Sequence, residues 1–137
     1  MNEMSTDNLT GGCLCGAVRY QTGPQILPAT ICHCRSCRLA AGANAVGLYT
    51  VEKNSVIFTR GGPVEYRSSP KVLRGFCGSC GTALTYWEAD FPTEFSLTIA
   101  SLDDPGLAVP ADHTWMAHAV AWDRPMDHLP QHPRDRA

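Results

Sequence analysis

The sequence lacks long apolar runs, and none approaches the roughly 18 to 20 residues that a transmembrane helix requires. The polar first ten residues also lack the apolar stretch of a signal peptide. Positive charge is not in excess, because the formal net charge is -2 at pH 7, and no basic stripe is present. We therefore expect a soluble, cytoplasmic protein that binds neither nucleic acid nor a membrane.

Internal repeats and low-complexity segments are also absent from the 137 residues. Hydrophobic residues make up 44% of the chain and charged residues 18%, which is typical of a globular protein. This length allows one domain with a modest core. The polar ends, residues 1–10 and 131–137, are expected to be flexible tails.

Short β-branched and aromatic runs, separated by glycine and proline, predict a mainly β fold. The run 17–22 alternates apolar and polar residues, which places Val18 and Tyr20 on one face of a strand. Strands are expected at residues 17–22, 45–50, 56–60, 64–67, 72–76, 82–87 and 95–102, with a weaker candidate at 117–122.

Glycine and proline mark turns along the chain, and residues 103–106 (DDPG) are one such turn signal. The Gly-Gly-Pro sequence at residues 61–63 lies between two strand candidates and predicts a hairpin turn. The only helix candidate is residues 36–41, which Gly42 would end in a left-handed conformation. The sequence thus predicts packed antiparallel sheets with at most one short helix.

The seven cysteines fall into three groups with the spacing of metal clips: Cys13 and Cys15, then Cys32, Cys34 and Cys37, then Cys77 and Cys80. An odd number of cysteines and a reducing compartment both argue against a disulfide framework. Two clips make a four-thiolate site, and the triplet makes a three-thiolate site. Zinc sites with four protein ligands are structural, whereas three ligands leave a position for water or substrate.

The four-thiolate site, formed by Cys13, Cys15, Cys77 and Cys80, is predicted to hold a structural zinc. Such a site can contribute roughly 10 to 16 kcal/mol of apparent binding energy, comparable with the stability of about 5 to 15 kcal/mol of a whole domain. A different partition among the same seven thiols is the alternative.

The triplet of Cys32, Cys34 and Cys37 is predicted to hold a second, open zinc, which makes these residues the candidate catalytic residues. In the alternative interpretations, His33 or a distant histidine closes the site, or the triplet carries no metal when the protein is isolated. His33 is an awkward ligand because it lies between two chelating cysteines.

Three segments resemble motifs of one family. Residues 11–20 (GGCLCGAVRY) resemble the opening motif of the glutathione-dependent formaldehyde-activating (GFA-like) family. Residues 32–38 (CHCRSCR) and 75–82 (GFCGSCGT) are similar to its second and third motifs, and residues 113–123 to its closing segment. The resemblance spans roughly residues 10–130, with the motifs in the family's order.

The resemblance implies an Mss4-like, zinc-bound β-scaffold over residues 11–130. It implies the same two ligand sets, with the triplet as the catalytic site. It also implies a carbon–sulfur lyase that joins formaldehyde to glutathione as S-hydroxymethylglutathione. Because folds are reused for different chemistry, the actual thiol and aldehyde stay open, and a non-catalytic zinc scaffold that binds a thiol or a protein partner is the alternative.

Other residues are weaker candidates. Arg35, Arg38 and Lys71 could pair with substrate carboxylates or be ordinary surface charges. His113 could transfer a proton or be a structural histidine. The chain departs from the family where His128 stands in place of a common glycine, which could alter the substrate. Three further residues are expected in the core or in a pocket wall: Trp87, Trp115 and Trp122.

Overall fold

The computed structural model describes Met4 and residues 6–136, and these residues form ten β-strands and one α-helix. The helix, α1, comprises Arg35–Ala41. The strands are Leu9–Gly12 (β1), Arg19–Thr22 (β2), Gln25–Cys32 (β3), Val46–Glu52 (β4), Ile57–Arg60 (β5), Val64–Ser69 (β6), Val72–Phe76 (β7), Ala83–Glu88 (β8), Glu94–Thr98 (β9) and Pro110–Thr114 (β10).

The strands form two sheets. The smaller has the order β1-β2-β5, and the larger has the order β10-β3-β4-β9-β8-β7-β6. All neighbours are antiparallel except β10 and β3, which are parallel. The prediction of a mainly β fold with packed antiparallel sheets and one short helix is confirmed.

Both sheets contribute to one hydrophobic core. Leu9 and Tyr20 of the small sheet pack with Tyr49, Leu84 and Leu97 of the large sheet. The Tyr49 hydroxyl donates to the Tyr20 hydroxyl over 3.0 Å, so the polar ends of both buried rings are satisfied within the core. Burial of Val18 and Tyr20 confirms the predicted face of β2.

The predicted ends of the helix and of one strand agree closely with the structure. The helix ends at Ala41, and Gly42 has φ 63, as the left-handed cap requires. Strand β7 has the predicted bounds of 72–76. None of the helices formed by the described residues is long and apolar enough to cross a membrane.

Two expectations were wrong. Residues 61–63 do not form a hairpin turn, because β5 belongs to the small sheet and β6 to the large one. Residues 117–122 are not a strand. The last strand is β10, and Trp115, with φ 58, turns the chain into a short 3₁₀ turn at Met116–His118.

The structure differs from the sequence expectation at both ends of the domain. Leu9 lies in β1 with only 1% of its surface exposed, so the fold begins before residue 11. At the other end, Arg136 forms an ion pair with Asp112, and the His132 amide donates to the His113 carbonyl over 2.8 Å. The segment 131–136 is therefore packed against β10. Residues 1–3, 5 and 137 of the predicted tails lie outside the described residues.

Candidate metal centres

The four thiols of Cys13, Cys15, Cys77 and Cys80 converge on one point, with their sulfur atoms all within 4.8 Å of one another. The Cys13 and Cys15 sulfurs are 3.7 Å apart, and those of Cys15 and Cys77 are 3.8 Å apart. A tetrahedral zinc ion with Zn–S bonds of about 2.3 Å requires sulfurs about 3.8 Å apart. The donor set and its spacing therefore fit zinc.

Two similar turns bring these thiols together. The Gly16 amide donates to the Cys13 carbonyl over 3.2 Å, and the Gly81 amide donates to the Cys77 carbonyl over 2.8 Å. Gly16 and Gly81 have φ values of 81 and 82, a conformation that other residues adopt only with strain. Each glycine directly follows the second cysteine of its clip, so the turn geometry follows from the local sequence.

Hydrogen bonds reach the sulfur atoms of Cys77 and Cys80. The amides of Ser79 and Cys80 both donate to the Cys77 sulfur over 3.4 Å. Hydrogen bonds from Thr82 lower the pKa of Cys80 to about 5. Thiolate is the form that binds metal, so the contacts with Thr82 favour the metal-binding form of Cys80.

This four-thiol cluster links the two sheets. Cys13 and Cys15 lie in the turn between β1 and β2 of the small sheet, whereas Cys77 and Cys80 lie in the turn between β7 and β8 of the large sheet. Cys77 is almost fully buried and belongs to the shared core. A metal at this position would cross-link the sheets beside that core.

The second cluster lies at the start of α1. Cys32 ends β3, Cys34 is the residue before the helix, and Cys37 is in its first turn. Their three sulfur atoms also lie within 4.8 Å of one another. The Cys37 amide donates to the Cys34 sulfur over 3.3 Å. Three thiols can hold a zinc ion and leave one tetrahedral position for another ligand.

Within this three-thiol cluster the surroundings favour thiolate at Cys34. Hydrogen bonds from Cys32 and from Cys37 hold the pKa of Cys34 well below its usual range. The shared hydrogen bond with Cys34 correspondingly raises the pKa of Cys32. Arg74 adds a positive charge, because its Nη1 donates to the Cys37 sulfur over 3.5 Å.

His33 points away from the three thiols. Its Nε2 lies 2.9 Å from Nδ1 of His113, whose Nε2 lies 2.8 Å from Oδ2 of Asp127. Burial and the neighbouring His113 lower the pKa of His33, which favours the neutral ring. The geometry does not support His33 as the fourth ligand. Instead, the two buried histidines and the exposed Asp127 form a hydrogen-bonded chain that begins between Cys32 and Cys34.

A groove of about 700 Å³ begins at Cys37 and lies between α1 and the large sheet. Arg35 is exposed and lines the groove, but Arg38 does not. Lys71 pairs with Asp90 at 3.1 Å and also lies outside the groove. Of the three predicted substrate-binding cations, only Arg35 therefore lines the groove.

Arg74 and Asp127 were not predicted as site residues. Arg74 is an isolated charge in the strand sequence VLRGF, and that isolation was the available signal. Asp127 had no local signal, because its partner His113 is distant in the chain. The tryptophans differ in environment: Trp87 packs on the main core and Trp115 beside the triplet, whereas Trp122 is 80% exposed, which contradicts a core position.

A family model described as glutathione-dependent formaldehyde-activating enzyme matches residues 8–118 of this chain. The chain belongs to this family. This confirms the resemblance of the three cysteine motifs.

The chain is also similar to individual proteins. It is 27% identical over 125 residues to a Halomonas elongata protein provisionally named as a glutathione-dependent formaldehyde-activating enzyme, over 83% of this chain and 78% of that protein. It is 30% identical over 76 residues to an uncharacterised lyase of Schizosaccharomyces pombe, over 56% of this chain and 55% of that protein. Family membership and these names support an enzyme of the lyase class.

Among solved structures, a Rhodobacter sphaeroides protein has a similar fold. The TM-score is 0.62 at 20% sequence identity, and the match covers 90% of this chain and 99% of that chain. At this identity the similarity concerns the fold alone. Another protein chain therefore adopts a fold similar to this one.

Proposed function

We propose that this protein is a zinc-dependent carbon–sulfur lyase that forms or cleaves an adduct between glutathione, or a related thiol, and an aldehyde. S-hydroxymethylglutathione is the adduct that the family name suggests. The observation that carries the proposal is the three-thiol cluster of Cys32, Cys34 and Cys37, which lies beside a groove large enough for a small molecule.

Each cluster has a separate role in this proposal. Four thiols, those of Cys13, Cys15, Cys77 and Cys80, complete a tetrahedral site and hold the fold together. The other three thiols leave one position for the substrate. Zinc bound there would keep a substrate sulfur deprotonated near neutral pH and fix its position.

The reaction balances without a redox partner. In the forming direction, the substrate thiolate makes a bond to the carbonyl carbon, and the carbonyl π electrons move to oxygen, which takes a proton. In the cleaving direction, the oxygen loses its proton, the carbonyl reforms, and the carbon–sulfur bond breaks with its electrons on sulfur. The side chains must therefore position the sulfur and balance its charge.

Arg74 is the residue of the chain that balances this charge. Three thiolates around a divalent ion have a net charge of -1, and a substrate thiolate brings it to -2. Because half-buried charge is costly to leave unpaired, the guanidinium bonded to the Cys37 sulfur stabilises the loaded site. The chain His33–His113–Asp127 keeps the clip in place while the substrate sulfur arrives and leaves.

Zinc content and glutathione binding, measured on the same samples, test the proposal. We expect two zinc ions per chain in the wild-type protein, either as purified or after zinc addition. Cys34→Ser is expected to hold one, to bind no glutathione and to keep the wild-type circular dichroism spectrum. Exposed Ser36 lies in the first turn of α1, between Cys34 and Cys37, and Ser36→Ala is the control that should keep both ions.

Turnover completes the test. Exchange between formaldehyde and its glutathione adduct, measured by magnetisation-transfer NMR, should be faster with wild-type protein than with Cys34→Ser. One tightly held zinc ion and no glutathione binding at any zinc loading would refute the lyase and favour a structural zinc module. Loss of folding in Cys34→Ser would show that the second cluster is structural.

A further inference from the structure

The groove beside the three-thiol cluster is mainly apolar. Its roof is formed by α1 and its floor by the large sheet, where most lining residues come from β4, β6, β7 and β8. The residues that give it this character include Leu39, Ala41, Val46, Leu48 and Phe76. Apolar walls of this kind contribute favourably to the binding free energy only when apolar atoms of a ligand displace water from them.

Charged groups in the groove are few and unevenly distributed. Among its lining residues, only Arg35, Glu65 and Arg74 carry charge. Arg35 and Glu65 are exposed at the rim. Arg74 is deeper, and its guanidinium already contacts the Cys37 sulfur and donates from Nε to the Ser68 hydroxyl over 3.2 Å. The interior therefore offers little to a charged ligand.

Aromatic rings flank Arg74 at the end of the groove near Cys37. Tyr66 and Tyr86 are its partners on the neighbouring strands β6 and β8, and cross-strand partners share one face of a sheet. The guanidinium carbon of Arg74 lies 4.9 Å from the centre of the Tyr86 ring. A flat, ring-sized group is complementary to such a surface.

We propose that the adduct cleaved or formed here carries an apolar, ring-sized substituent on the carbon bonded to sulfur, and that this substituent lies in the groove under α1. The inference rests on the proposed function. The thiol part, if it is glutathione, has two carboxylates and an ammonium group, which suit Arg35 and Glu65 at the rim. The carbon part then faces the apolar interior, and the aldehyde is an aromatic one.

Size supports this assignment. The hydroxymethyl group derived from formaldehyde adds one carbon and one oxygen to the sulfur. It would leave most of a groove of about 700 Å³ filled with water against apolar walls. A phenyl ring on the same carbon removes much more apolar surface from water, at about 0.8 kcal/mol for each buried CH₂-sized group.

Binding of two stable thioethers to the zinc-loaded protein tests the substituent. By isothermal titration calorimetry, S-benzylglutathione is expected to bind at least about tenfold more tightly than S-methylglutathione. Ala41→Phe, which fills the groove from the helix, should reduce this preference to less than about threefold. Ala89→Phe, at an exposed position after β8, is the matched control and should keep it.

A second variant covers the case in which Ala41→Phe does not fold. Leu39 is 63% exposed at the groove, so Leu39→Ser should leave the fold intact and weaken S-benzylglutathione selectively. Equal affinity for the two thioethers overturns the proposal. So does a preference that persists unchanged in both groove variants.

The proposed function is tested separately on protein loaded with cobalt. Glutathione itself should change the thiolate-to-cobalt absorption, because a fourth sulfur then ligates the ion. If glutathione produces this change but the benzyl group brings no gain, the groove proposal is wrong and the lyase proposal stands. If glutathione does not ligate cobalt, the lyase proposal falls, and the groove proposal falls with it.

Discussion

Cys77→Ser should unfold the protein far more readily than Cys34→Ser, although both remove one thiol from a cluster. Cys77 is 1% exposed, lies in the shared core and belongs to the cluster that links the sheets. Cys34 lies at the start of α1, and its cluster joins only β3 to that helix. The two variants therefore separate a metal that supports the fold from one that does not.

The magnitude follows from the segment that the metal closes. The chain between Cys15 and Cys77 has 61 residues. In the chain-entropy treatment of a covalent cross-link, closing a loop of this length destabilises the unfolded state by about 4 kcal/mol at 25 °C. This is a large part of the stability of about 5 to 15 kcal/mol typical of a domain. Losing the ligand also weakens the zinc binding energy that is coupled to folding.

Urea unfolding followed by circular dichroism, with zinc measured in each sample, is the assay. We expect Cys77→Ser to lose at least about 4 kcal/mol of unfolding free energy or to be unfolded without urea. Cys34→Ser should unfold within about 1 kcal/mol of wild type. If Cys77→Ser loses one zinc ion but keeps the wild-type midpoint, the four-thiol cluster does not support the fold.

Three further variants test other parts of the structure. His128 has φ 62, a left-handed conformation that strains any residue with a Cβ, so His128→Gly should raise the unfolding free energy by up to about 1 kcal/mol and His128→Ala should not. Equal stability of the two variants in calorimetry would contradict this strain. Tyr20→Phe should cost about 1 to 3 kcal/mol in urea unfolding, because the buried Tyr49 hydroxyl loses its acceptor; a smaller loss would mean that the hydroxyl is satisfied otherwise. Asp103→Asn should cost up to about 1 kcal/mol at pH 7, because Arg19 lowers the pKa of Asp103 to about 2. That difference from wild type should shrink as the pH falls from about 4 to about 2, since a depressed carboxyl pKa stabilises fully only above this window. A difference that is as large at pH 2 as at pH 7 would contradict the ion pair.

The departure at His128 has a conformational explanation. From the sequence, this departure from a common glycine could alter the substrate. In the structure this residue has a left-handed backbone conformation, which glycine adopts without strain. Its neighbour Asp127 accepts a hydrogen bond from the Leu129 amide over 3.1 Å and contacts His113. Through Asp127 and His113, this segment contacts His33, which lies between Cys32 and Cys34.

Local patterns predicted local structure well. The alternation around Val18 and Tyr20, the bounds of β7 and the cap at Gly42 depend on neighbouring residues only, and each agrees with the structure. Strand β3 was missed because Pro28 interrupts its sequence, QILPATIC, and breaks the pattern of a strand. The hairpin at 61–63 was wrong because local sequence does not specify which sheet each strand joins.

The sequence by itself determined the three cysteine groups and their turns, since clip spacing and the glycines after Cys15 and Cys80 are local properties. Only the tertiary structure decided what surrounds the three-thiol cluster. Arg74 reaches Cys37 because α1 lies over the large sheet, and their positions differ by 37. His33 meets His113, 80 positions away, because β10 pairs beside β3. The order of strands in the large sheet sets these distances, and no spacing along the chain encodes that order.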